Sequence, residues 1–175
     1  MMESQYEIFE PKKKAVKRPR ISAMEKAMNL LAASGFSEKE LGNRLIRSGY
    51  TPQESSNAVA ECRRRHYLDD EIYASDLLEN LRTRGKGRLA IFQEMRRRGI
   101  PDELICRTVG NAGDDDEFAT ALEVFKRKLA TLSDERDIRK KREKLLRFMA
   151  GRGFTGGVVS RIFEQVTINE TDTID

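Results

Sequence analysis

Residues 41–50 read LGNRLIRSGY, residues 91–100 read IFQEMRRRGI, and residues 145–154 read LLRFMAGRGF. Leu41, Leu45, Gly49 and Tyr50 match Ile91, Met95, Gly99 and Ile100 at a constant offset of 50. These in turn match Leu145, Met149, Gly153 and Phe154 at an offset of 54. Each copy is a helix with apolar residues four apart, then a glycine, then an apolar residue. Glycine takes the left-handed backbone that closes a helix, and the residue after it can fold back on the helix end. Three copies in register predict three tandem three-helix units rather than one large core.

The flanks complete each unit. Met24, Ala27, Met28 and Leu31 recur at helical spacing, on a helix that Gly35 ends. Ser37 and Glu40 have capping-box spacing ahead of Leu41, Leu45 and Ile46. Thr51 and Glu54 repeat that spacing, with Pro52 at the first helical position, before Ser55, Ala58, Val59 and Cys62. In the second unit Asp69 or Asp70 caps a helix carrying Tyr73, Ala74, Leu77, Leu78 and Leu81. Gly85 and Gly87 break it, and helices follow with Ile91, Phe92 and Met95, then Leu104 and Ile105. The third unit has Phe118, Leu122, Phe125, Leu129 and Leu132. A restart at Ser133 or Asp134 carries Ile138, Leu145 and Met149, and Val158, Val159, Ile162, Phe163 and Val166 end it.

Valine, isoleucine and threonine nowhere alternate as strands require. The expected fold class is therefore all-α. The expected organisation is a flexible basic tail at 1–20, three-helix repeats at 21–66, 67–112 and 113–166, and an acidic end at 167–175. A unit of about 45 residues buries little of its surface alone. The repeats should lean on one another as an elongated, curved rod, a poor shape for enclosing a deep pocket.

The 175 residues are 35% charged and 38% hydrophobic, too apolar for full disorder and polar for a globule. No apolar run reaches the roughly 20 residues of a membrane helix, and no apolar segment follows the first basic residues as in a signal peptide. A cytoplasmic protein is expected. Cys62 and Cys106 lack CxxC spacing, and His66 is the only histidine. A structural zinc site needs about four ligands, so both cysteines read as reduced core thiols.

The net charge is only +4, but it is unevenly spread. Lys12, Lys13, Lys14, Lys17, Arg18 and Arg20 crowd the tail, and Arg63, Arg64 and Arg65 form a run. Arg82, Arg84, Lys86, Arg88, Arg96, Arg97 and Arg98 share a stretch whose only acid is Glu94. Asp114, Asp115, Asp116 and Glu117 reverse the sign. Clustered cations suit a polyanion or an acidic protein groove, and they also occur as solvated helix faces.

Catalytic signals are absent. No GxxxxGK[ST] loop occurs. Residues 84–88, RGKGR, have the composition of a phosphate cradle before a helix and equally of a tight interhelical turn. His66 has no Ser or Cys partner in a recognisable motif and reads as a surface residue at a helix end. The acids at 114–117, like Asp69 and Asp70, fit helix N-termini better than a metal site. The expectation is a non-enzyme with no cofactor and no metal.

A family resemblance rests on particular residues. Tyr67-Leu68-Asp69-Asp70, Tyr73-Ala74, Arg84-Gly85-Lys86-Gly87, Ile91, Glu94-Met95 and Arg98-Gly99-Ile100 strongly resemble the central motif of the RecX family. Ala27, Leu30-Leu31, Ser37, Glu40-Leu41, Leu45 and Gly49-Tyr50 resemble its first unit. Residues 144–149 and Arg152-Gly153-Phe154 resemble its third. The resemblance spans roughly residues 22 to 166 and leaves the basic tail outside. It implies a three-repeat helical regulator that binds the RecA recombinase filament on single-stranded DNA, lies in its groove, and limits its growth, ATPase and strand exchange. Recombination and the SOS response would be tempered as a result.

The residues expected to carry that binding are Arg82, Arg84, Lys86 and Arg88 around one turn, with Arg96, Arg97 and Arg98 at the end of the following helix. Tyr67 and Tyr73 lie on helix faces and read as core before they read as base-stacking residues. The expected partners are RecA and single-stranded DNA, met by a monomer. The alternative is a helical protein that binds single-stranded nucleic acid directly, without RecA, through its basic tail.

Overall fold

The computed structural model describes residues 21–110 and 114–171. Among the described residues every regular element is a helix: α1 (Ala23–Ala33), α2 (Glu38–Arg47), α3 (Pro52–Arg64), α4 (Asp70–Thr83), α5 (Arg88–Arg97), α6 (Asp102–Gly110), α7 (Asp114–Ala130), α8 (Ile138–Gly151) and α9 (Gly156–Thr171). They form three successive three-helix repeats. α9 runs past Val166, where the sequence reading ended the third unit. The basic tail lies outside the described residues.

The recurrent decapeptide has a concrete geometry. Gly49, Gly99 and Gly153 have φ of 98°, 79° and 84°, the left-handed region that closes a helix. The N–H of the following residue then reaches back to the last buried turn. Tyr50 donates to the Leu45 carbonyl at 3.3 Å, Ile100 to Met95 at 3.1 Å, and Phe154 to Met149 at 3.2 Å. All six side chains are buried. Each decapeptide thus folds its apolar end residue onto its own helix and seeds one core.

Three cores result. Leu41, Leu45, Tyr50 and Cys62 belong to the first, Leu78, Ile91, Met95 and Ile105 to the second, and Phe125, Leu145, Met149 and Ile162 to the third. The extensive helix–helix packing is all within repeats. Phe125 and Phe163 meet edge to face in the third core, with centroids 5.1 Å apart.

Local chemistry sets the helix starts. Thr51 and Glu54 form the full reciprocal capping box. Asp69, rather than Asp70, caps α4 by accepting from the N–H groups of Glu71 and Ile72. Asp137 caps α8, so that helix starts after the Ser133 or Asp134 expected from sequence. At Ser37 only half of the capping box forms: its hydroxyl accepts from Glu40 N, while the Glu40 carboxylate turns to Arg98.

Several expected core positions lie outside. Ile138 is 80% exposed, since it is the first residue of its helix and precedes the turn that meets α7. Tyr67 is 48% exposed because it follows the last turn of α3, beyond the helix face expected for it. Met28 and Ile46 sit at the edges of their helix stripes and are exposed. Cys62 is a buried thiol, and Cys106 is exposed on α6. His66 is exposed and holds φ of 57°, a left-handed turn usually given to glycine.

Candidate partner-binding surface

The repeats are joined head to tail by one recurring device. Around the start of α2, Ser37 Oγ donates to the carbonyl of Arg98, and Glu38 N donates to Asp70 Oδ1 at 2.8 Å. Fifty residues on, around the start of α5, Gly87 N donates to the carbonyl of Arg152 at 2.9 Å. Arg88 N donates to Glu117 Oε1 at 2.9 Å, and Leu89 N to the carbonyl of Gly153 at 3.0 Å. In both places donors at the start of a repeat's second helix plug onto the glycine turn of the next repeat, the Ser37 hydroxyl at the first joint and the Gly87 and Leu89 N–H groups at the second. A carboxylate from the next repeat's first helix completes the cap.

Close approach requires small residues there. A Cβ on Gly87 would overlap the backbone of Gly153 and Phe154, and one on Gly153 would overlap the backbone of Ala90. At the first joint the Gly35 position contacts the Tyr73 ring, and Gly99 approaches the stem of Lys39. Residues 84–88 are therefore not an open phosphate cradle. Their backbone donors are already used, those of Arg84, Gly85 and Lys86 in closing α4 and those of Gly87 and Arg88 in the joint.

The predicted binding arginines divide in two. Arg98 is only 29% exposed at the first joint, where it reaches Glu94 at 2.9 Å, Tyr73 Oη at 3.1 Å and Glu40 Oε2 at 3.5 Å. Glu40 Oε2 is buried, with no hydrogen-bond partner among the described residues, so the Arg98 cation is what compensates it. Arg96 forms a two-pronged pair with Asp102 at 2.8 and 3.0 Å, and Arg97 holds Glu94 at 2.7 Å. Hydrogen bonds from Arg97, then Arg98, hold the Glu94 carboxyl down to about 2. Arg82, Lys86 and Arg88 line a small cleft with Leu78, Ile91 and Glu117 at the second joint, and Arg84 is exposed beside it.

The structure thus brings Arg82, Lys86 and Arg88 together, sets Arg84 in a separate groove with residues of the third repeat, leaves Arg96 and Arg97 on the outer end of α5, and puts Arg98 to structural use. Sequence reasoning missed Glu40, Asp70 and Glu117 as joint residues. The offset of 50 that aligns the decapeptides also aligns Ser37 with Gly87 and Glu38 with Arg88, and would have located both joints. Tyr73 was expected in the core and is half-buried against it. Among the described residues no cluster of acids, histidines or cysteines could hold a metal ion. No helix there is long and apolar enough to cross a membrane.

Comparison with known proteins agrees with this architecture. Residues 69–108 match the model of the RecX second three-helix domain, and residues 114–163 that of the RecX third three-helix domain. A curated protein of Legionella pneumophila named Regulatory protein RecX is 30% identical over 146 residues, covering 82% of this chain and 94% of that protein. The chain belongs to the RecX family. A second Regulatory protein RecX, from Actinobacillus pleuropneumoniae, is 28% identical over 151 residues, covering 86% of this chain and 96% of that one. The crystal structure of RecX from Lactobacillus salivarius superposes with a TM-score of 0.74 at 18% identity, over 83% of this chain and 95% of that one. The shared fold is the all-α tandem array, and the family is one of regulatory proteins.

Proposed function

We propose that this chain regulates the RecA recombinase by lying along its filament on single-stranded DNA. There it limits filament extension and lowers RecA ATPase and strand exchange, tempering recombination and the SOS response. The observation that carries the reading is the pair of matching joints, which fix three small repeats into one array able to follow an extended partner. Such an array offers many separated contacts instead of a pocket. The chain acts without catalysis, as a monomer in the cytoplasm.

The contact residues are Arg82, Arg84, Lys86 and Arg88 with Arg96 and Arg97. Arg98 serves by holding the first joint. Exposed ion pairs contribute about 1 kcal/mol or less each, so affinity is spread over the array. The test is co-sedimentation with RecA–single-stranded DNA filaments held by a slowly hydrolysed ATP analogue. Wild-type chain should pellet with filaments, and a variant with Arg84→Ala, Lys86→Ala, Arg96→Ala and Arg97→Ala should stay in solution. Equal pelleting of both would refute the contact assignment. Failure of the wild type to pellet would refute the regulator reading.

A further inference from the structure

Among the described residues, the arginine runs at 63–65 and 96–98 are ion-paired within the fold. Arg64 and Arg65 hold Glu61, Arg96 holds Asp102, and Arg97 and Arg98 hold Glu94. A different set of cations has no such partner. Arg84 after α4, Arg127 and Lys128 on α7, and Arg152 after α8 line one open groove between the second and third repeats. No carboxylate lines that groove. Among the described residues none of the four is ion-paired, and they meet neutral groups instead. Arg152 Nη1 donates to the Arg84 carbonyl at 2.7 Å, and Arg127 Nε to the Glu123 carbonyl at 3.5 Å. Lys128 and Arg152 both lie over the half-buried Phe148 ring, 5.3 and 5.1 Å from its centroid.

Four like charges gathered without counter-ions repel one another, and a bound polyanion relieves that repulsion. The aromatic ring narrows the choice of polyanion. Single-strand sites pair a cationic track for phosphates with an aromatic surface for bases. A polyanion that draws Lys128 and Arg152 onto itself uncovers the ring they now lie over; an acidic peptide would leave that face bare, whereas a base stacks on it. We infer that this groove binds single-stranded nucleic acid, with phosphates on Arg84, Arg127, Lys128 and Arg152 and a base against Phe148. The inference rests on, and gives a place to, the nucleic-acid part of the reading above. Three of the four cations belong to the third repeat, so the track exists only because the second joint sets Arg84 beside it.

The test measures binding of a fluorescein-labelled oligothymidylate of 20 nucleotides to the full chain, without RecA, by anisotropy across a salt series. Arg127→Gln with Lys128→Gln removes two cations while keeping side-chain length, and far-UV circular dichroism should match the wild type. Two fewer phosphate contacts should flatten the salt slope by about 1.4 and weaken binding about tenfold or more at low salt. Arg64→Gln with Arg65→Gln removes the same charge elsewhere and should leave both within about twofold. Equal losses in the two double variants would overturn the site. An unchanged Arg127/Lys128 variant would also overturn it, while leaving direct nucleic-acid binding intact. No binding by the wild type would overturn the site and the nucleic-acid reading together. A 20-residue oligoglutamate that displaces the probe as well as unlabelled oligothymidylate does would assign the groove to acidic protein instead.

Discussion

Gly87→Ala isolates the joint from the repeats it joins. Gly87 has φ −83° and ψ 168°, extended backbone that alanine adopts without strain. Its added Cβ would lie 2.5 Å from the Gly153 carbonyl carbon and oxygen, where ordinary contact begins near 3.4 Å. Backbone cannot swing aside as a side chain does, so the two repeats must part by about 1 Å. The bonds from Gly87 N at 2.9 Å and Leu89 N at 3.0 Å then break, and the Arg88–Glu117 bond at 2.9 Å loosens with them. At about 0.5–1.5 kcal/mol per bond the coupling weakens by about 2–4 kcal/mol. Each repeat keeps its own core, so helix content should not change. Amide exchange reads the effect directly: protection at Leu89 should fall about 30- to 1000-fold, with unaltered far-UV circular dichroism. Undiminished protection at Leu89 together with an unchanged urea midpoint would refute the account of the joint.

Three further outcomes follow from the same contacts. Burial pushes the Asp70 carboxyl up, so its share of stability is full below the carboxylate range and is lost as pH rises through the raised value. At pH ~7 Asp70→Asn, which keeps the acceptor for Glu38 N, should unfold no earlier than wild type, whereas Asp70→Ala should lose about 1 kcal/mol in urea titrations. Glu94 is depressed to about 2, so its contribution is present above the usual carboxylate range and vanishes as pH falls toward that value. The stability gap between wild type and Glu94→Gln, about 1–3 kcal/mol near neutrality, should therefore close on acidification, and a gap constant with pH would contradict the pairing. Maleimide should label the exposed Cys106 rapidly in the native protein and the buried Cys62 only on unfolding, as mass spectrometry of the tryptic peptides would report.

The all-α tandem fold was legible because one decapeptide carries both a glycine stop and the apolar residue that folds back on it. Those two requirements are local, so Gly49, Gly99 and Gly153 announce them in sequence. The joints were less legible because their bonds link residues far apart in the chain, as Ser37 to Arg98 and Leu89 to Gly153. The charge runs show only part of their setting, for a related reason. A run of arginines such as 96–98 shows its cations in sequence but hides the carboxylates that fold beside them, Asp102, Glu94 and Glu40. The groove of Arg84, Arg127, Lys128 and Arg152 is the converse case, because its members come from three separated segments. Helix faces erred at their ends, where Tyr67 and Ile138 keep the periodicity but lie beyond the packed turns.

The most direct measurement of the central claim is the single-stranded-DNA-dependent ATPase of the cognate RecA, with this chain added well below stoichiometric amounts. The account predicts a progressive fall in the rate, because one array bound along a growing filament withholds more than one RecA subunit. An unchanged rate up to equimolar chain, with the oligothymidylate still tightly bound, would contradict it and leave a protein that acts on nucleic acid alone.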